Sequence, residues 1–222
     1  MITRAKALLL RELRLSWKRR AESAGTFLFI LLMVTLFPFA LSPLPERLHD
    51  MAAGLLILAI LLGQMLQAPQ LFHSDWQNGT LDFLSLEKIP LSLYALIACI
   101  SQWLCLMLPI LILSPLLMLL LNVPPFEMPG LFLALLPATF VFALLNMLGA
   151  ALVVGAGRAG LLLPLLLVPF YIPVLIFAVR AAEQNAAITC QAFLFLSALL
   201  LLAISTLPFA AGSALRSSVE AG

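Results

Sequence analysis

Charge and apolar sequence are kept apart along this chain. Arg4, Lys6, Arg11, Arg14, Lys18, Arg19 and Arg20 crowd its start, and long apolar runs with almost nothing ionisable follow. An uncharged run of ~20 residues reads as a helix that crosses a bilayer, because lipid leaves the backbone only internal hydrogen bonds. The chain therefore reads as an all-α polytopic membrane protein. Its 10% charged residues compare with about 25% in soluble domains, which excludes a large water-facing domain.

A chain of 222 residues holds about six such spans with short loops. The apolar runs place them at roughly 24–42, 51–69, 93–121, 131–154, 161–179 and 191–213, in one transmembrane domain over residues 1–222. The third run is longer than a bilayer requires, so it is expected to tilt, kink or project, with Pro109 and Pro115 as kink points. The fifth carries Pro164, Pro169 and Pro173. Each removes a backbone donor, so a broken helix is expected there, covered by protein or a cavity near the outer leaflet.

Residues 1–22 read as an amphipathic interfacial helix. At about 100° per residue, Ile2, Leu9, Leu13 and Trp17 share one side, and Arg4, Arg11, Arg14 and Lys18 the other. Such a helix lies in the headgroup region with its basic face toward anionic lipid. The plainer alternative is a basic flank that only fixes topology. The charged region is too long for a cleaved signal peptide, and no A-x-A-like site follows it. With this end in the cytoplasm, ten Lys and Arg fall inside and only Arg47 and Arg180 fall outside. Both termini are then cytoplasmic, and the loops at 42–50, 122–130 and 180–190 lie outside.

The spans lack the groups that drive chemistry or ion coupling. Their polar residues are uncharged: Gln64, Gln67, Ser101, Gln102, Ser114 and Asn146. Intramembrane carboxylates and bases mark ion-coupled pathways, so a proton- or sodium-driven carrier is disfavoured. These amides and hydroxyls are expected to bond between helices, with a minority lining a substrate path. No Ser/His, Asp/Asp or H-E-x-x-H set supports an intramembrane enzyme. Cys99, Cys105 and Cys190 match no metal spacing. His49 and His73 are expected on opposite membrane sides, so they cannot clasp one haem between them; His49 is left as a single axial ligand at the outer face or, more plainly, a solvated loop histidine. Gly155 to Gly160 matches G-x-G-x-x-G, but it joins two apolar spans without a βαβ unit and reads as a tight turn. There is no Walker loop, so this chain does not bind ATP through one, and if it moves something the energy must come from a partner. Nothing points to nucleic acid.

The most informative loop is the cytoplasmic one at 70–91. Asn78-Gly79 signals a turn, and Thr80 and Asp82 are candidate helix caps. Leu81, Leu84 and Phe83 form an apolar side next to acidic Asp75 and Asp82. Such an element suits docking to a cytoplasmic protein; a capped connector is the plainer alternative.

This loop and its neighbours resemble the CcmB family, the haem exporter B proteins of cytochrome c maturation. Asp75 to Leu84 reads as D-x-x-x-G-[ST]-L-[DE]. Val34-Thr35-Leu36-Phe37-Pro38 precedes it, and Pro109 to Leu116, Arg158-Ala159-Gly160, Pro169, Ile172 to Ala178 and Leu207 to Ala211 follow in family order. His73-Ser74 departs from the family pattern, which has an arginine and an acidic residue before the aspartate.

The resemblance implies an ABC-transporter permease subunit of the bacterial inner membrane that pairs as a dimer. It implies an ATPase partner (CcmA-like), a haem-handling membrane protein (CcmC-like), a small single-span subunit (CcmD-like) and a periplasmic haem chaperone (CcmE-like). The resemblance implies either that the subunit conducts haem or that it converts ATP hydrolysis into release of the haem-loaded chaperone, with no covalently bound cofactor. Asp75, Gln77, Gly79, Thr80, Leu81, Asp82 and Leu84 are the candidate ATPase-coupling residues. Leu81 is the expected anchor, and Asp75 and Asp82 are expected to pair with bases or to cap short helices. Phe170, Tyr171 and Pro173 are the candidate substrate path; the two rings suit either a planar porphyrin or packing against a neighbouring subunit. The rival readings are an exporter permease for another apolar or lipid-like substrate, and a structural subunit of a respiratory complex.

Overall fold

The computed structural model describes residues 11–12, 20–41, 45–87, 90–154, 159–182 and 186–221. Among them the fold is all helix. The elements are α1 (Arg20–Leu41), α2 (Pro45–Gln67), α3 (Gln70–Gln77), α4 (Thr80–Leu86), α5 (Leu91–Leu120), α6 (Met128–Val153), α7 (Ala159–Ala181) and α8 (Ala186–Ala221).

Among the described residues, five stretches are long and apolar enough to cross a membrane: Met51–Gln77, Leu91–Leu120, Met128–Val153, Leu163–Ala181 and Ile188–Val219. The first apolar helix has a shorter apolar stretch, Ala24–Ala40. The predicted interfacial helix at 1–22 lies almost wholly outside the described residues, as do Gly155 to Arg158 of the glycine-rich turn. Of the N-terminal segment, Glu12 is buried and accepts a bond from Arg11 at 3.0 Å.

The core is built around α6, which packs on α8, α7, α5 and α2. Leu131, Leu135, Ala138, Phe142, Leu145 and Ala150 are all buried along it. The helix is mostly apolar and mostly covered by its neighbours, with Leu133 and Leu152 left exposed. By contrast α1, α7 and α8 expose rows of large apolar residues, among them Leu36, Leu165, Leu194 and Phe209. A surface of that kind is stable against lipid tails.

Small residues set the closest approaches, as expected where van der Waals packing drives association in lipid. At Gly212 in α8, an added Cβ would meet the backbone nitrogen of Ser92 at 2.6 Å. Backbone cannot yield as a side-chain tip can, so α8 and α5 touch here only because residue 212 has no side chain.

The prolines behave differently from the sequence expectation. α7 is one continuous helix through Pro164, Pro169 and Pro173, not a broken span. Pro169 and Pro173 are exposed on its outward side. The proline φ is itself helical, and the loss is confined to single donors. α5 likewise runs uninterrupted through Pro109 and Pro115 over 30 residues, about 45 Å at the helical rise. Pro115 has no N–H for the Leu111 carbonyl four residues back. The buried Ser114 hydroxyl donates to that carbonyl instead, at 2.7 Å.

Candidate functional site

The α3–α4 element leaves α2 at the turn Ala68-Pro69, where the Leu71 N–H bonds the Ala68 carbonyl at 3.2 Å. α3 ends at Asn78-Gly79. Gly79 has φ 68°, a left-handed conformation that costs a residue with a Cβ, so the turn signal is realised as a sharp reversal. α4 starts at Thr80 with Gly79 as its cap and no side-chain capping bond. Neither Thr80 nor Asp82 is therefore the N-cap expected from sequence. Asp82 instead sits in the first turn, where negative charge complements the helix dipole.

The inner side of the element is fixed to the bundle. Phe72, Leu81 and Leu84 are buried in the main core. Asp75 is 6% exposed, and its Oδ2 accepts the Tyr94 hydroxyl from α5 at 2.7 Å. The Phe72 and Tyr94 rings lie 6.3 Å apart beside this bond. A buried carboxylate needs such a donor, because leaving it unpaired is costly. Asp75 and Leu81 are thus committed within the chain. The expectation that Leu81 anchors a partner and that Asp75 pairs with its bases gives way to this geometry.

The outer side is open. Phe83 is 58% and Leu86 80% exposed, one helical turn apart on α4, with Asp82, Ser85 and Glu87 exposed around them. On α3, exposed His73 and Gln77 bond each other at 3.0 Å. Gln77 and Asp82 keep the exposure a docking role requires, and Thr80 is half-buried beside Gly79.

The candidate path residues on α7 divide in the same way. Tyr171 is buried, its hydroxyl donating to Asn146 Oδ1 on α6 at 2.5 Å and its ring edge-on to Phe142. Phe170 and Pro173 are exposed on the outward side. The two rings therefore do not share one surface.

Interhelical amide bonds occur as expected. Gln64 Nε2 donates to the Thr139 carbonyl at 3.1 Å, tying α2 to α6, and Gln102 Nε2 reaches the Gln67 carbonyl at 3.4 Å. Trp103 Nε1 donates to Thr139 Oγ1 at 3.2 Å. His49, near the start of α2, meets Glu127 at 2.9 Å, at the end of α2 remote from His73. Among the described residues no three His, Cys, Asp or Glu side chains gather as a metal site.

Sequence reasoning missed Tyr94, Leu86, Thr139 and Trp103. A signal for Tyr94 existed. The chain has only two tyrosines, both in apolar runs, and a buried tyrosine hydroxyl needs a partner. Each found the nearest polar side chain across a helix boundary.

The protein family described as CcmB protein matches residues 3–218. The chain belongs to the CcmB family. It is 40% identical over 215 residues to Heme exporter protein B of Pseudomonas aeruginosa, covering 96% of both chains. It is 37% identical over 213 residues to Heme exporter protein B of Paracoccus denitrificans, covering 95% of this chain and 98% of that one. The corresponding protein of Escherichia coli K12 is 37% identical over 211 residues, with 94% and 96% covered. Family membership accounts for a membrane chain that is a permease subunit and not an enzyme.

Proposed function

We propose that this chain is the permease subunit of an ATP-driven haem-export complex of the inner membrane, serving c-type cytochrome biogenesis. The observation that carries this reading is the family match over nearly the whole chain. The absence of a Walker loop or ionisable relay from the spans fits a subunit whose energy is supplied by a separate ATPase.

The α3–α4 element is the docking site for that ATPase (CcmA-like), and Phe83 and Leu86 enter its groove. Asp82 and Gln77 flank them as polar contacts. Asp75, Gly79, Leu81 and Leu84 hold the element in shape from behind. A surface-exposed apolar pair on an element pinned to the bundle supports this assignment, because a rigid lever transmits force and a loose loop does not. α1 is the sixth span. Both termini and the α3–α4 element face the cytoplasm, with residues 1–22 as an interfacial helix. The subunit pairs with a second copy and works with CcmC-like, CcmD-like and CcmE-like partners.

The direct test is complementation. In a bacterium lacking its own haem exporter B, the chain restores c-type cytochromes and copurifies an ATPase subunit. Copurification with no rescue of cytochromes would favour a permease for another substrate, and neither result would favour a structural subunit. Topology is tested in a cysteine-free background: a cysteine at 46 labels from the periplasm and one at 78 does not.

A further inference from the structure

Below the α3–α4 element, where α2, α5 and α6 meet, the bundle contains a half-open cavity of about 20 Å³, with Gln102 and Trp103 partly exposed at it. Three uncharged amides, Gln64, Gln102 and Asn146, line it within a mostly apolar wall that includes Trp103, Leu106 and Met107. Gln64 is 5% exposed. Its Nε2 is used by the Thr139 carbonyl, and its Oε1 has no partner. Exchanging the two atoms would set oxygen against oxygen at 3.1 Å, so the unpaired atom is the acceptor. In lipid, an unpaired amide oxygen is not rescued by bulk water, so leaving it without a partner is costly.

The remaining amide groups match it. Asn146 Oδ1 already accepts the Tyr171 hydroxyl, which leaves the Asn146 NH₂ as donor. One N–H of Gln102 Nε2 goes to the Gln67 carbonyl, which sets that end of the amide as donor and leaves the Gln102 oxygen as acceptor. An acceptor, a donor and a further acceptor are the complement of one water molecule. A water needs about 10–15 Å³ by the same measure and two to four polar partners, and the cavity meets both conditions. No charged group lines it, so an ion is not matched.

We propose that this cavity is a built water-binding site inside the membrane-spanning bundle, held by Gln64, Gln102 and Asn146. The site takes a small neutral molecule that both donates and accepts hydrogen bonds. Ala68 lies at its edge and at the junction of α2 with α3, so the water sits at the root of the cytoplasmic element. The argument rests on the cavity and its amides and is independent of the ATPase assignment.

Radiolytic hydroxyl-radical labelling of the full chain in lipid nanodiscs tests it, because radicals formed from a bound water oxidise the side chains beside it. Met107, Met118 and Met147 are all 0% exposed, and of the three only Met107 lines the cavity. Met107 is expected to oxidise several-fold faster than Met118 and Met147, and Gln64→Leu is expected to abolish that excess. Equal rates at the three methionines in the unaltered chain would overturn the proposal, whether or not the variant folds. Persistence of the excess in a folded Gln64→Leu chain would also overturn it, since the water would then not depend on Gln64.

Discussion

Leu81 and Leu86 lie on the same short helix, yet one is 1% exposed and the other 80%. Asp75 and Asp82 divide likewise: the first is buried against Tyr94, the second open to solvent. The α3–α4 element therefore has an inner side that joins it to the bundle and an outer side left without cover. A residue type alone does not reveal which side it serves. The same division recurs inside the membrane at Phe170 and Tyr171, neighbours in sequence that point to different surroundings. Substitutions on the two sides should fail in different ways: inner ones should lower the amount of folded protein, outer ones should spare it.

The largest expected effect is at Leu81. Leu81→Asp places a charge in a buried apolar site and should cost about 4 kcal/mol or more, seen as loss of membrane-inserted, monodisperse protein. Next is Gly79→Val, which puts a β-branched residue at a positive φ and should cost about 1–3 kcal/mol, read as a lowered thermal midpoint in detergent. Tyr94→Phe removes the donor to buried Asp75 and should cost a similar ~1–3 kcal/mol. A Tyr94→Phe, Asp75→Leu double variant that recovers stability would confirm that the loss comes from the stranded carboxylate. The smallest effects belong to the outer residues: Gln77→Ala and Phe170→Leu should each change stability by less than about 0.5 kcal/mol.

Much of the architecture was legible because charge segregation is a strong signal. The apolar runs located every long helix, and the Asn78-Gly79 turn appeared where expected. Two features were not legible. Proline counts in α7 predicted a break, but each proline keeps a helical φ and removes only one backbone donor, and the helix runs on through all three. For α4 the pattern offered Leu81, Leu84 and Phe83 as one apolar side. In a helix of seven residues, periodicity cannot tell which apolar residues turn toward the chain's own core. That choice was made by tertiary contacts with α5 and α8, and these join residues far apart in sequence. Asp75 carried the same ambiguity until Tyr94 was placed beside it.

The central claim is that the outer side of α3–α4, and not its inner side, docks the ATPase subunit. It is tested most directly by copurifying that subunit with a Phe83→Asp, Leu86→Asp double variant, normalised to folded permease. Each lost side chain removes up to about 1.5–3 kcal/mol of burial, so affinity should fall at least about tenfold while abundance and thermal midpoint stay unchanged. Undiminished copurification with normal cytochrome c maturation in the double variant would contradict the account and move the docking surface elsewhere on the chain.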